Sequence, residues 1–456
     1  MKVIRFASLA LIPFLAVTMH AQNFKVLVNF KVKPSQPVQP GIIAQSRGGY
    51  LLSTSLGETA DQHGEAFRVT TAGAVTVLHE FDISANGKVP PGGLTLGTNG
   101  RFYGTTFSGA TNNSGTIFEM TPNGTVKTLH EFPGNGNGNA QAPPIQSLSG
   151  DFYGTTYGND RDPDADPGTI YKINSNGSYT LLHSFTVQDG ANPLSPLVQD
   201  ATNYWFYGTA EHGGSNFKGT IFRISHSGQF ELLYKFDSSH GRFPMALIQA
   251  NDGNFYGVAR AGGTSDAGVV FKMTPNHKVT VLHYFTGGSD GAEPLGELIQ
   301  ATDGFLYGTS AEGGSAGGGV LFRISTTGKF TVLHNFEKST GFNPIGLIQH
   351  TNGFLYGDTA FGGLGNGGVF YRYDLGLGPF ITYLPSWGSA GLPVDILGEG
   401  FTSDSKAFFN GVRAQIVTVE PTYMRVVVPP GATTGWITVT TTKGTLKSNK
   451  KFIVHS

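Results

Sequence analysis

The sequence contains no cysteine. That excludes disulfides, thiolate metal sites and thiol catalysis, and it removes the residue that carries the lipid of a bacterial lipoprotein. Stability must therefore come from packing. Charge is also scarce, with 13% Asp, Glu, Lys and Arg among 456 residues and a formal net charge of −1. Polyanion binding leans on clustered Lys and Arg that release counterions, and no such cluster is present, so no nucleic-acid partner is expected. Long amphipathic helical patterns are absent. Beyond the N-terminus no apolar run approaches the ~20 residues that span a bilayer. Nor is there a His-Glu-x-x-His helix or a phosphate loop.

What the chain has is 66 glycines and 12% aromatic residues, the balance of short strands, tight turns and large packing side chains. A Tyr-Gly phrase recurs at Tyr103, Tyr153, Tyr207, Tyr256, Tyr307 and Tyr356, and Tyr50 reads as a degenerate first copy. A period of about fifty residues with strand-like phrases points to propeller blades. The sixth repeat parses into four strands: Gly296 to Thr302, Phe305 to Ser310, Gly319 to Ser325 and Lys329 to Phe336. The turns Asp303-Gly304 and Thr327-Gly328 between them are hairpin signals.

Strand counting separates an open array from a ring. The first (A) and third (C) strands each total seven, whereas fourth (D) strands inside the repeats total six and end at Phe81, Phe132, Phe185, Phe236, Phe285 and Phe336. The missing one is Phe24 to Phe30, whose Leu27-Val28-Asn29-Phe30 matches Leu78-His79-Glu80-Phe81 in register. Such a strand completes the last blade and removes the open edges of an array. The fold expected is all-β: a seven-bladed β-propeller closed by an N-terminal strand, followed by an immunoglobulin-like β-sandwich. Lys2 and Arg5, an apolar run from Phe6 to Val17 and Ala21 before Gln22 read as a signal peptide over residues 1–21. The propeller is then assigned to 22–376 and the sandwich to 379–454, with no transmembrane segment in the mature chain, which is expected to be a monomer.

After Gly378 the periodicity stops and about seven short strands follow, with Gly398-Glu399-Gly400-Phe401, Phe409-Asn410-Gly411-Val412 and Pro430-Gly431-Ala432-Thr433-Thr434-Gly435 among them. Pro379 to Val454 resembles the IPT/TIG family of immunoglobulin-like domains on these motifs. The preceding repeats resemble the bacterial tandem repeat called GloVer, in Phe102-Tyr103-Gly104-Thr105-Thr106, Gly219-Thr220-Ile221-Phe222-Arg223-Ile224 and Leu333-His334-Asn335-Phe336. The resemblance implies an exported, surface-associated protein with no settled activity.

His79, His130, His183, His283 and His334 recur at one D-strand position. Equivalent positions of a ring lie on different blades, so these side chains read as scaffold rather than as ligands of one ion. Residues that break the repeat are better binding candidates, because loops on a rigid frame carry function. At the start of the loop joining the second (B) and third strands these are Phe107, Tyr157, Glu211, His212, Arg260 and Glu312. Aromatics beside carboxylate and guanidinium groups suit a sugar or a peptide. Trp205 reads as a local packing device on the opposite face. In the third repeat Asp160, Asp162, Asp164 and Asp166 alternate, a pattern suited to Ca²⁺, although Pro163 and Pro167 interrupt it and a solvated acidic loop competes. No other cofactor is expected. The leading functional reading is a non-enzymatic binding or scaffold protein for a protein or glycan at the cell surface. The alternative is a carbohydrate-binding or polysaccharide-degrading protein, and a metal-assisted lyase or hydrolase on the Asp loop is a third.

Overall fold

The computed structural model describes residues 24–31, 41–56, 63–134, 138–147, 149–158 and 166–455. The leader assigned to residues 1–21 lies outside them. Among the described residues seven four-stranded antiparallel sheets form a ring, each in the order A-B-C-D from the central channel outwards. Blade 6 runs Ile299–Gln300, Leu306–Ser310, Val320–Ile324 and Phe330–Asn335. In blade 7 the strands Phe342–Gln349, Leu355–Phe361 and Asn366–Tyr373 are completed by Phe24–Lys31. Phe24 pairs with Tyr373 and Val28 with Phe370, the register that places Val28 where His79 stands in blade 1.

The Tyr-Gly phrase has a physical reason. A Cβ on Gly104, Gly208, Gly257 or Gly308 would sit 2.5 to 2.7 Å from the Cζ of the aromatic residue on the neighbouring C strand, so only glycine lets that ring lie across the B strand. The preceding tyrosines are buried and their hydroxyls are satisfied four residues upstream. Tyr256 donates to Asp252 and Tyr307 to Asp303 at 2.6 Å each, and Asn99, Asn203 and Asn352 donate to Tyr103, Tyr207 and Tyr356 at 2.9 to 3.0 Å. Blade 1 departs from the sequence reading. Ala44 pairs with Leu52 just as Thr95 pairs with Tyr103, so Leu52 fills the tyrosine position. Tyr50 belongs to the preceding turn, where Arg68 lies 4.8 Å over its ring; aromatic identity misled where hairpin register decides.

The recurrent histidines are the glue between blades. His130 stacks on Tyr179, His183 on Phe230, His283 on Phe330 and His334 on Phe24, with centroids 3.7 to 4.0 Å apart and planes within 5°. Each joins one D strand to the next, and the last ties blade 6 to the N-terminal strand. A second stitch runs nearer the channel. A-strand glutamines accept from the A-to-B turn of the preceding blade, as in Thr98 N–H to Gln146 at 2.8 Å and Asn251 N–H to Gln300 at 2.8 Å. Gln45 does this across the closure, taking Thr351 N–H at 3.1 Å and donating to its hydroxyl at 2.7 Å.

The C-terminal sandwich comprises a four-stranded and a five-stranded sheet around Ile381, Val394, Ile396, Met424, Val426, Ile437, Val439 and Phe452. It docks on the face of the ring formed by the A-to-B turns. Asp395, buried in the sandwich, accepts from Arg47 of blade 1, from Arg425 Nε at 2.7 Å and from the Tyr423 hydroxyl at 2.8 Å. Both arginines also donate to the Thr98 carbonyl of blade 2, at 2.7 and 2.9 Å. Thr351 of blade 7 donates to Glu399 at 2.8 Å, and the Tyr204 hydroxyl of blade 4 meets His455 at 3.0 Å.

Candidate functional site

The ring exposes its other face, where B-to-C loops and D-to-A loops meet. The exit of each B strand is tied to the incoming D-to-A loop, as in Glu211 N–H to Asn192 O at 3.2 Å, with Ala191 and His212 exchanging a bridge. In those loops one non-glycine residue has positive φ in each of six repeats: Val89, Asn139, Asn192, Phe243, Glu293 and Asn343, between 50° and 61°. Asparagine tolerates this conformation, whereas the β-branched Val89 and the bulky Phe243 do not. Phe243 is therefore held at a cost, beside four of the residues singled out from the sequence.

Glu211 is the hub. Its side chain is 4% exposed, yet Arg260 Nη2 reaches Oε1 at 2.9 Å, and His212 Nδ1 and the Tyr157 hydroxyl lie 3.6 and 3.5 Å from Oε2. Phe243 packs behind, with the His212 ring centroid at 5.0 Å and the Arg260 and Arg242 guanidinium carbons at 5.3 and 4.8 Å from its own. Burial pushes the His212 imidazole below its ordinary range, against the pull of Glu211 and with that of Arg260, so it is neutral at pH 7. The result is an ion pair walled by rings, with Arg260 partly exposed and able to take a further acceptor. Buried Glu211 serves to hold that arginine.

Blades 3, 4 and 5 thus bring Tyr157, Glu211, His212 and Arg260 together. Phe107 on blade 2 and Glu312 on blade 6 are each fixed to the adjoining loop, Phe107 N–H to Val89 O at 2.9 Å and Glu312 bridged to Ala292. Sequence reading missed Phe243. The available signal was an aromatic residue before the proline of its Gly-x-x-Pro loop, where the other such loops carry Val89, Asn192, Glu293 and Asn343. Of the acidic run, Asp160, Asp162 and Asp164 lie outside the described residues. Asp166 accepts from Gly168 N–H at 3.3 Å, and burial raises its carboxyl above the usual range. Among the described residues no three His, Asp or Glu side chains cluster as a metal site.

The central channel offers two cavities of about 420 and 410 Å³, one against the sandwich and one towards the loop face. Glu297 borders both, and burial pushes its carboxyl up to about 7. Lys450 of the sandwich, open to the channel mouth but surrounded by protein, has its ammonium pushed below the ordinary range.

The Gloeobacter/Verrucomicrobia repeat family matches residues 14–212 and 202–412, and the IPT/TIG domain matches 379–453. The chain belongs to the Gloeobacter/Verrucomicrobia repeat family. A comparison with curated proteins finds no match to this repeat protein. Among solved structures it is similar to a fungal alcohol oxidase of the AA5 family in complex with copper, at 11% identity over 95% of this chain and 100% of the other, with a TM-score of 0.53. It is also similar to the extracellular domains of two B. thetaiotaomicron proteins of the hybrid two-component type, at 10% identity over 95% and 96% of this chain, with TM-scores of 0.50 and 0.52. The repeat protein spans 58% and 59% of those two chains. These likenesses concern the fold. Among the described residues no helix is long and apolar enough to cross a membrane.

Proposed function

We propose that the protein is exported, by a leader at residues 1–21, to act as a non-enzymatic binding and scaffold protein in the periplasm, at the cell surface or outside the cell. Its propeller, residues 22–376, presents a ligand site on the B-to-C loop face, and its IPT/TIG domain, residues 379–454, supports the opposite face. The observation that carries this reading is the Tyr157, Glu211 and Arg260 constellation, built from three successive blades around the strained Phe243 ring. Extracellular domains among the fold neighbours agree with export. Rings beside a half-satisfied guanidinium favour a sugar or peptide bearing acceptor groups.

The mature protein should bind a member of a combined glycan and peptide array. The double variant Glu211→Ala, Arg260→Ala should weaken that binding about tenfold or more, ~1.4 kcal/mol. Binding that is unchanged in the double variant discards the loop face.

A further inference from the structure

On the opposite face, where blades 3 and 4 meet the sandwich, lies a cleft of about 470 Å³, within the roughly 300 to 1,000 Å³ of small-molecule sites. Two of the three tryptophans line it, Trp205 from the propeller and Trp387 from the sandwich. Both indoles are held. Arg223 lies 4.4 Å over Trp205 and is itself fixed by Glu231 at 2.6 and 2.8 Å. Trp387 is met edge-on by Tyr204 at 4.7 Å and by His455 at 5.0 Å.

Blades 6 and 7 make the same guanidinium stack with Phe305 and Phe354, so packing Arg223 accounts for an aromatic residue at position 205. It does not account for the rest. The A-to-B turn of blade 4 is one residue longer than that of blade 2 or 3, and its Tyr204 has φ +64° and is 40% exposed. That extra residue carries Tyr204 to Trp387 and builds the wall of the cleft. Around the rings stand hydrogen-bonding groups, among them Gln199, Gln229 and Ser227. The charges present cancel, because Lys172 pairs with Asp151 at 2.8 Å.

We infer that this cleft is a second binding site, for a neutral oligosaccharide. Indole faces accept the C–H face of a pyranose, the amides and hydroxyls serve its hydroxyl groups, and an internally paired Lys–Asp leaves no net charge to select an ionic ligand. Pre-positioned rings spare the ordering cost that would otherwise weaken a small ligand. The site is separate from the loop face and does not depend on it.

The test is titration of the mature protein with neutral gluco-, xylo-, manno- and galacto-hexasaccharides, following tryptophan fluorescence. At least one should shift the emission, with affinity falling about tenfold or more in Trp205→Ala. Ser227→Tyr, which crowds the rim from an exposed turn without removing a packing group, should have the same effect, and Glu211→Ala, Arg260→Ala should bind normally. No response to any of the four sugars overturns the inference. So does binding that survives both Trp205→Ala and Ser227→Tyr, or that is lost only in the double variant of the loop face.

Discussion

The seam where blade 7 meets blade 1 is built differently from the other seams of the ring. Four of those others stack a histidine on the next blade's aromatic ring, and Thr54, Thr105 and Thr309 donate their hydroxyls to carbonyls of the following blade. At the closure the stack is replaced by Val28 and Val75 in a cluster where Phe30 meets Phe67 edge-on, and the threonine position holds Asp358. The compensation comes from outside the blades. Thr351 and Arg47, one on each side of the closure, are both held by the sandwich through Glu399 and Asp395, and Thr422 donates to the Arg47 carbonyl at 2.6 Å. Repeated seams are self-sufficient, whereas the closing seam is braced twice, by the N-terminal strand and by the immunoglobulin-like domain. The domain thus reaches both sides of the closing seam, and it leaves the loop face open.

The largest effect should follow removal of the first brace. Deleting Phe24–Lys31 strips the edge of blade 7 and removes buried Phe30 and the Phe24 ring stacked on His334. Each phenylalanine is worth ~1.5 to 3 kcal/mol of burial, and an unpaired edge invites aggregation. Calorimetry and size-exclusion chromatography should show no cooperative transition and large aggregates. A monomer with the parent melting curve would mean that the seam needs no clasp.

Removing the second brace should cost less. Asp395→Ala leaves the partly exposed Arg47 and Arg425 without their carboxylate at the interface, and losing hydrogen bonds to charged groups costs ~1.5 to 3 kcal/mol. The sandwich keeps its own core. The expected outcome is that a single calorimetric transition splits into two, with the propeller melting earlier. One transition at the original temperature would show that the domain merely rests on the ring.

The seam was legible in sequence where pattern repeats and illegible where it breaks. Phe24 to Phe30 could be placed in register because an alternating strand ending in Asn-Phe has six counterparts to align with. Tyr50 was misplaced because its aromatic identity outweighed a two-residue shift that only hairpin pairing reveals. The loop-face candidates came from departures from the repeat, and Tyr157, Glu211, His212 and Arg260 converge because consecutive blades carry them. Phe107 and Glu312 stand on the blades flanking that trio, each tied to the loop beside it. Phe243 escaped because the Gly-x-x-Pro loops read as turns, whereas its packing on His212 and Arg260 joins loops of neighbouring blades. The docking of Asp395, Glu399 and Trp387 on the turns depends on the placement of a whole domain, which no local spacing encodes.

Asp358 offers the finest probe of the closing seam. Its carboxyl is fully buried, Gly346 N–H donates to Oδ1 at 2.8 Å, and Oδ2 has no partner among the described residues. A methyl on Gly346 would lie 3.0 Å from both Oδ1 and the Gly41 carbonyl of blade 1, so the carboxyl occupies the space across which threonines elsewhere reach the next blade. Burial pushes its pKa up to about 8, against ~3.9 in an unfolded chain. A raised carboxyl favours folding fully below the unfolded value and loses that contribution as pH rises through the folded one. Asp358→Thr restores the residue of Thr105 and Thr309 and removes this dependence. Its melting temperature should exceed the parent's by an amount that is smallest near pH 4, grows to about pH 8 and is constant above. A gain independent of pH would mean that the aspartate is charged in the fold, and that the closing seam differs from its neighbours in shape alone.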